Sequence, residues 1–258
     1  MDLGLANRTA LVCASTSGLG LACAQALAHE GARVVVTGRR RDAAVAEAEK
    51  LQGAIGIGAD LTKPQDVERL VEDVQQSLGA VDILVLNSGG PPGTRALSTT
   101  EAEMLSAYSL IVLPAVRLVR LLVPPMQARR WGRVVAIGSS GVEQPIAGLA
   151  TSNSARAGLA AYLKTLAGEI AGDGVTVNMV IPGRLDTDRV RSMDAARASA
   201  TGKIIEEIQR QSAATIPIGR YGEPRELGQL VAFLAGHQSS FITGSMLRVD
   251  GGMIQSIH

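Results

Sequence analysis

The feature that most limits what this chain can fold into is an alternation. Short runs of Val, Leu and Ile take turns with longer segments of helical period along its whole length. The apolar runs lie at residues 8–13, 33–37, 54–57, 83–86, 133–137, 176–181 and 245–249. Most read as continuously apolar rather than alternating, the pattern of strands buried on both faces. Seven such runs joined by helices predict an α/β, doubly wound, Rossmann-type fold: a seven-stranded parallel sheet with helices on both faces, in a single domain over residues 1–258. Ligands of such sheets bind beyond the C-terminal ends of the strands, so the strand-to-helix loops are expected to carry the function.

Composition narrows the function classes. Apolar residues make up 46% of 258, enough for one sizeable core, whereas 2% aromatics and a net charge of +1 leave little with which to stack bases or hold a phosphate backbone. No nucleic-acid partner is expected. Two cysteines, Cys13 and Cys23, and three histidines, His29, His237 and His258, show no metal-ligand spacing. The start Met1-Asp2-Leu3-Gly4 has no signal-peptide pattern, which suggests a reducing, cytoplasmic setting. Residues 110–125 are the most apolar stretch, but Arg117, Arg120 and three prolines interrupt it, so it reads as a buried helix rather than a membrane span. Thr100 and Glu103 have the spacing of a capping box that opens this long helix, which ends near Arg130. His258 reads as a frayed end.

The first apolar run leads directly into Ala14-Ser15-Thr16-Ser17-Gly18-Leu19-Gly20 and a helix over 21–30. Glycines there let the backbone approach a pyrophosphate, and the helix N-terminus offers free N–H groups. Such a loop could equally be an ordinary tight turn; what favours a dinucleotide site is its position as the first strand-to-helix turn of the sheet. Further elements follow in order: Asp60-Leu61 after the third run, Asn87-Ser88-Gly89 after the fourth, Pro182-Gly183-Arg184-Leu185-Asp186-Thr187 after the sixth, then Ile242-Thr243-Gly244 and Val249-Asp250-Gly251-Gly252. In this order and spacing they resemble the short-chain dehydrogenase/reductase family over nearly the whole chain. In two loops the match is incomplete, since Cys13 and Ala14 stand where the family's cofactor loop has Thr and Gly, and Leu86 stands where it usually has Asn.

The resemblance implies a nicotinamide cofactor held by Ser15, Ser17, Gly18, Leu19 and Gly20 at the pyrophosphate, Asp60 and Leu61 at the adenine, Asn87 and Gly89 beside the ribose, and Pro182, Gly183, Leu185 and Thr187 at the carboxamide. The second strand ends at Thr37-Gly38-Arg39, with glycine where an acidic residue would select NAD. Arg39 suits a charge-assisted contact to a 2′-phosphate, which favours NADP(H) over NAD(H).

The resemblance breaks at the chemistry. Family members use a Ser, a Tyr and a Lys one helical turn beyond the Tyr. Ser139 ends the fifth run as the family's Ser does, with Ser140 the less favoured neighbour, but the Tyr and Lys positions, thirteen and seventeen residues on, hold Ser152 and Arg156. No Tyr-x-x-x-Lys occurs anywhere, and the helical Asn of the family's proton relay is replaced by Ile111 or a neighbour. A serine hydroxyl cannot be tuned toward neutrality as a phenol of pKa about 10 can. The catalytic candidates are therefore Ser139, Ser152 and Arg156, with Arg156 contacting the cofactor ribose or stabilising an alkoxide. Residues 188–216 resemble the family's substrate lid, in which Arg189, Arg191 and Arg197 would face either solvent or an anionic substrate, with the solvated reading favoured.

The reading that results is an NADP(H)-dependent oxidoreductase interconverting a ketone, such as a 3-oxoacyl thioester, and a secondary alcohol. The resemblance also implies a homo-oligomer, a tetramer or a dimer. The contrasting readings are an NADP(H)-binding sensor or non-catalytic subunit, and a lyase or isomerase that consumes no cofactor.

Overall fold

Along each inner strand the side chains alternate between two cores. In the computed structural model, which describes residues 2–257, Val34 and Val36 face one apolar cluster while Val35 faces the other, and Ile83 and Val85 part from Leu84 and Leu86 in the same way. Both faces are covered, which is why these strands read as unbroken apolar runs. The strands are β1 (Thr9–Val12), β2 (Arg33–Gly38), β3 (Ile55–Gly58), β4 (Ile83–Leu86), β5 (Gly132–Ile137), β6 (Val175–Pro182) and β7 (Met246–Val249). They form one all-parallel sheet in the order β3-β2-β1-β4-β5-β6-β7. The order reverses between β1 and β4, the switch point at which ligands of such sheets bind.

Helices α1 (Gly18–His29), α2 (Arg41–Ala48) and α8 (Pro224–Ala235) cover one face. The other face carries α3 (Pro64–Leu78), α4 (Glu101–Ala128) and α5 (Ala150–Ile170). Helix α6 (Asp188–Thr201) and helix α7 (Ile205–Ala213) form a hairpin-like excursion between β6 and α8, inside the segment expected to be a lid.

Two expectations need correction. The first helix begins at Gly18, not residue 21, because Gly18-Leu19-Gly20 form its first turn rather than a loop. The prolines do not interrupt the apolar segment: α4 runs unbroken through Pro114, Pro124 and Pro125 for 28 residues, opened by the expected Thr100–Glu103 capping box. By length and composition α4 could cross a membrane. It is a core helix here, with Ile111, Leu118, Leu122 and Met126 inside the cluster that backs the sheet. Trp131 is structural, stacked between the Arg8 and Arg133 guanidiniums at 3.8 and 4.6 Å from its ring centre, below β5. His258 lies outside the described residues.

Candidate active site

The loop from β1 into α1 is fixed from three sides. Ser15 is fully buried, its hydroxyl donating to the Val12 carbonyl at 2.6 Å and accepting from the Thr37 N–H at 2.9 Å. That hydroxyl is therefore spent on tying β1 to β2, and the Ser15 N–H on the Thr37 carbonyl. Asn87 braces the loop from β4: its amide donates to the Ala14 carbonyl at 3.1 Å, and its backbone N–H reaches the Cys13 sulfur. Gly20 packs so closely that a Cβ there would stand 2.3 Å from the Ala14 carbonyl oxygen. Ala14 itself has a left-handed backbone (φ 46°), at the position where the resembled family has glycine.

Beyond this brace the loop is open. Ser17 is exposed, its hydroxyl makes no cap bond, and the N–H groups of Gly18, Leu19 and Gly20 have no acceptor among the described residues. No acidic residue lies in the first turn of α1, so its positive end is uncompensated. A Cβ at Gly18 (φ 56°) would be in van der Waals contact with the Thr187 methyl at 3.8 Å, whereas a Cβ at Gly89 would meet nothing within 4 Å. Free backbone donors at a helix start are what a diphosphate-bearing ligand requires.

At the β2 end of the crevice Gly38 touches Thr16, whose Cγ2 lies 2.8 Å from a Cβ position at 38. Arg39 beside it is exposed and has no ion pair or hydrogen bond among the described residues. Its charge nonetheless reaches Asp60: the Asp60 carboxyl is held below its ordinary value, first by the Thr62 hydroxyl at 2.7 Å and in small part by Lys63 and Arg39. Leu61 is half-buried next to it.

The β6 end supplies a shaped turn. Pro182 ends β6 and is buried, while a Cβ at Gly183 would lie 2.6 Å from the Asp250 Cα, so the turn packs on the C-terminal Asp250-Gly251-Gly252 segment. Leu185 is 3% exposed and bridges to Gly222, and Thr187 caps α6 by accepting from the Val190 N–H. Arg184, inside the turn, pairs with the fully buried carboxylate of Asp194 on α6, which also accepts from the Tyr221 hydroxyl at 2.9 Å.

Ser139 follows β5 in extended backbone, its hydroxyl accepting from the Gly141 N–H at 3.1 Å. Ser152 and Arg156 sit one turn apart on α5, 8% and 9% exposed. The Arg156 guanidinium reaches under Ser139, Nη1 donating to the carbonyls of Ile137 and Gly138 at 3.3 and 3.4 Å. Burial, with the nearby charge of Arg189, pushes Arg156 down to about 10, so it is still a cation at neutral pH. The Ser152 hydroxyl has no hydrogen-bond partner among the described residues. No tyrosine stands in for the one that is missing: Tyr108 lies against Gly158, Tyr162 packs on the core, and Tyr221 is bound to Asp194.

One residue read from sequence as facing either solvent or an anionic substrate lies against the β4 loop of the candidate site. Arg189, two positions after Thr187, folds its guanidinium onto Gly90 in the β4 loop, where a Cβ would lie 2.5 Å from Nη2. The signal that could have found it is an arginine in the first turn of a helix, where the dipole opposes it.

A family model described as enoyl-(acyl carrier protein) reductase matches residues 13–254. The 3-oxoacyl-(acyl-carrier-protein) reductase FabG of Vibrio cholerae is 32% identical over 252 residues, covering 97% of this chain and 99% of that protein. The uncharacterized oxidoreductase YvrD of Bacillus subtilis is 32% identical over 264 residues and covers both chains fully. Among solved structures, L-sorbose reductase from Gluconobacter frateurii, complexed with NADPH and L-sorbose, superimposes with a TM-score of 0.95 at 32% identity over 100% of both chains.

Proposed function

The chain belongs to the short-chain dehydrogenase/reductase family, and we propose that it is an NADPH-dependent reductase that interconverts a small-molecule ketone and a secondary alcohol, with 3-oxoacyl thioesters as the first substrates to test. The observation that carries the reading is the retained cofactor loop: free N–H groups at the start of α1 with no acid in its first turn, and Arg39, unpaired among the described residues, in place of an acid. The residues present fit NADP(H). Gly18, Leu19, Gly20 and Ser17 would hold the diphosphate, Arg39 the 2′-phosphate, Asp60 and Leu61 the adenine, Asn87 and Gly89 the ribose, and the turn from Pro182 to Thr187 the carboxamide. When bound, the cofactor supplies a hydride.

The remaining work falls to this chain's own groups. Ser139, anchored by Gly141, orients the substrate oxygen, and Arg156 stabilises the negative charge that grows on it. Ser152, with an uncommitted hydroxyl one turn before Arg156, passes a proton to that oxygen from water, because a serine cannot itself be the acid. Helices α6 and α7 cover the site and limit water.

The test is single-turnover transfer of deuterium from 4-deuterated NADPH to a pool of 3-oxoacyl thioesters and simple ketones, read by mass. The expected result is incorporation that is lost in Ser139→Ala. Tight NADPH binding without incorporation would favour the second reading, a cofactor-binding sensor or non-catalytic subunit, which the replacement of the Tyr/Lys pair by Ser152 and Arg156 supports. A soluble, cytoplasmic homo-oligomer accompanies the proposal, supported by exposed Leu105, Leu113 and Leu121 along α4. A monomer mass by light scattering at micromolar concentration would overturn the assembly.

A further inference from the structure

The cleft beside Ser139 holds an imbalance of charge. Arg156 is nine-tenths buried, yet its only hydrogen bonds among the described residues are two long ones to neutral carbonyls, and the charge that acts on it is a second cation, Arg189. A buried cation with no counter-ion is costly to hold, and natural structures pair such groups. Carboxylates are not lacking nearby, because Arg184 holds Asp194, Arg191 holds Asp186 and Asp188, and Arg248 holds Glu143. Arg156 and Arg189 hold none among the described residues. The start of α6 adds the positive end of its dipole at Arg189, and the free hydroxyl of Ser152 lies one turn from Arg156.

We infer that this cleft binds the carboxylate of its substrate, so that the molecule reduced is a small oxo acid held by the guanidiniums of Arg156 and Arg189. The inference rests on the reductase reading for the word substrate and narrows it from ketones at large to anionic ones. The cofactor's diphosphate is the competing partner for Arg189, because Thr187 two residues before it faces Gly18 at the α1 N-terminus, so the NADPH affinity of an Arg189 variant decides between the two. A guanidinium presents a planar fork of donors that a carboxylate matches with two parallel hydrogen bonds, and an ester or thioester offers neither the charge nor the second strong acceptor.

The experiment uses the full chain saturated with NADPH. Binding of 2-oxopropanoate, 3-oxobutanoate and 4-oxopentanoate, and of the three methyl esters, is measured by calorimetry, and deuterium transfer to each is measured separately. At least one acid is expected to bind about tenfold or more tightly than its ester. Arg189→Gln, a change at an exposed residue, should lower the affinity for that acid about tenfold and leave the ester and NADPH affinities unchanged. Arg156→Lys, which keeps the charge but loses the fork, should also weaken the acid more than the ester. Equal binding of acid and ester, binding of no acid, or an Arg189→Gln variant that loses NADPH instead would overturn the inference. Deuterium transfer to esters but not acids would overturn it while sustaining the reductase reading. Acid binding with transfer to no compound would sustain the anion site and overturn the reductase reading.

Discussion

Asp194 is the place where one substitution should separate the lid from the rest of the molecule. Its carboxylate is fully buried, paired with Arg184 of the carboxamide-side turn and bound by the Tyr221 hydroxyl at 2.9 Å, while the Arg184 guanidinium lies 5.1 Å from the Tyr221 ring centre. Asp194→Ala leaves the Arg184 side chain, only 25% exposed, without its counter-ion and leaves the Tyr221 hydroxyl without an acceptor. Breaking a buried pair costs about 3–5 kcal/mol, and water reaching the exposed quarter of Arg184 puts this one near the lower figure. The loss of about 3 kcal/mol falls on α6, since Asp194 is the buried polar group that joins that helix to the turns on either side. It corresponds to roughly a hundredfold rise in the local opening equilibrium. Hydrogen exchange read by mass spectrometry should show the amides of α6 exchanging about a hundredfold faster, with those of β1, β4 and β5 little changed. Asp194→Asn, which keeps an acceptor for Tyr221 but not the charge, should fall between. Exchange in α6 that stays within about threefold of the parent in Asp194→Ala would refute the idea that this network holds the lid.

Other consequences can be checked with simpler means. Ala14→Gly should raise stability to urea by about 1 kcal/mol, because relief of the left-handed backbone outweighs the added freedom of the unfolded chain; a loss of stability would mean that the methyl group packs instead. Gly38→Asp should weaken NADPH relative to NADH by about tenfold or more in a fluorescence titration, and an unchanged ratio would remove the 2′-phosphate from beside Arg39. Burial pushes the Cys13 thiol up to about 12 and the Cys23 thiol further, so neither should react with iodoacetamide at about pH 8 until the chain is unfolded; labelling of the native protein would contradict the buried placement. Arg156, pushed down to about 10, keeps its charge between about pH 6 and 9 and the hydroxyls of Ser139 and Ser152 do not ionise there, so single-turnover transfer should vary by no more than about twofold in that range. An inflection in that range would place a titrating acid at the site.

The fold was legible because its signal is one of burial. Runs such as Ile83–Leu86 are apolar on both faces only when helices cover both, and that fact is written in composition. Ends of elements were less legible, since Gly18-Leu19-Gly20 has the composition of a loop and becomes helix only because Asn87 and the Ala14 carbonyl hold the turn before it. The site divides in the same way. Backbone-made parts, the start of α1 and the turn from Pro182 to Thr187, leave glycine and proline signatures in the chain. Long charged side chains leave weaker ones: Arg189 and Arg191 are the same residue type two positions apart, yet Arg191 pairs with Asp186 and Asp188 while Arg189 folds onto Gly90. Ser15 shows the opposite case, because it stands in the loop read as cofactor-binding while its hydroxyl serves the sheet.

The two departures on α5 are physically a single change. Where a phenol donates the proton, a neighbouring cation has value because it draws the phenol's pKa toward neutrality. With Ser152 in that position no acidity is within reach of tuning, and a lysine there would have lost its electrostatic partner. A guanidinium suits the altered site better, since it stays charged even where burial and Arg189 push it down to about 10, and it offers several donors where an ammonium offers a point charge. Its observed contacts use only a part of that capacity, on two carbonyls at the end of β5. On the proposed reading, proton delivery passes to water and α5 holds negative charge, whether on the alkoxide of the product or on a carboxylate the substrate brings with it.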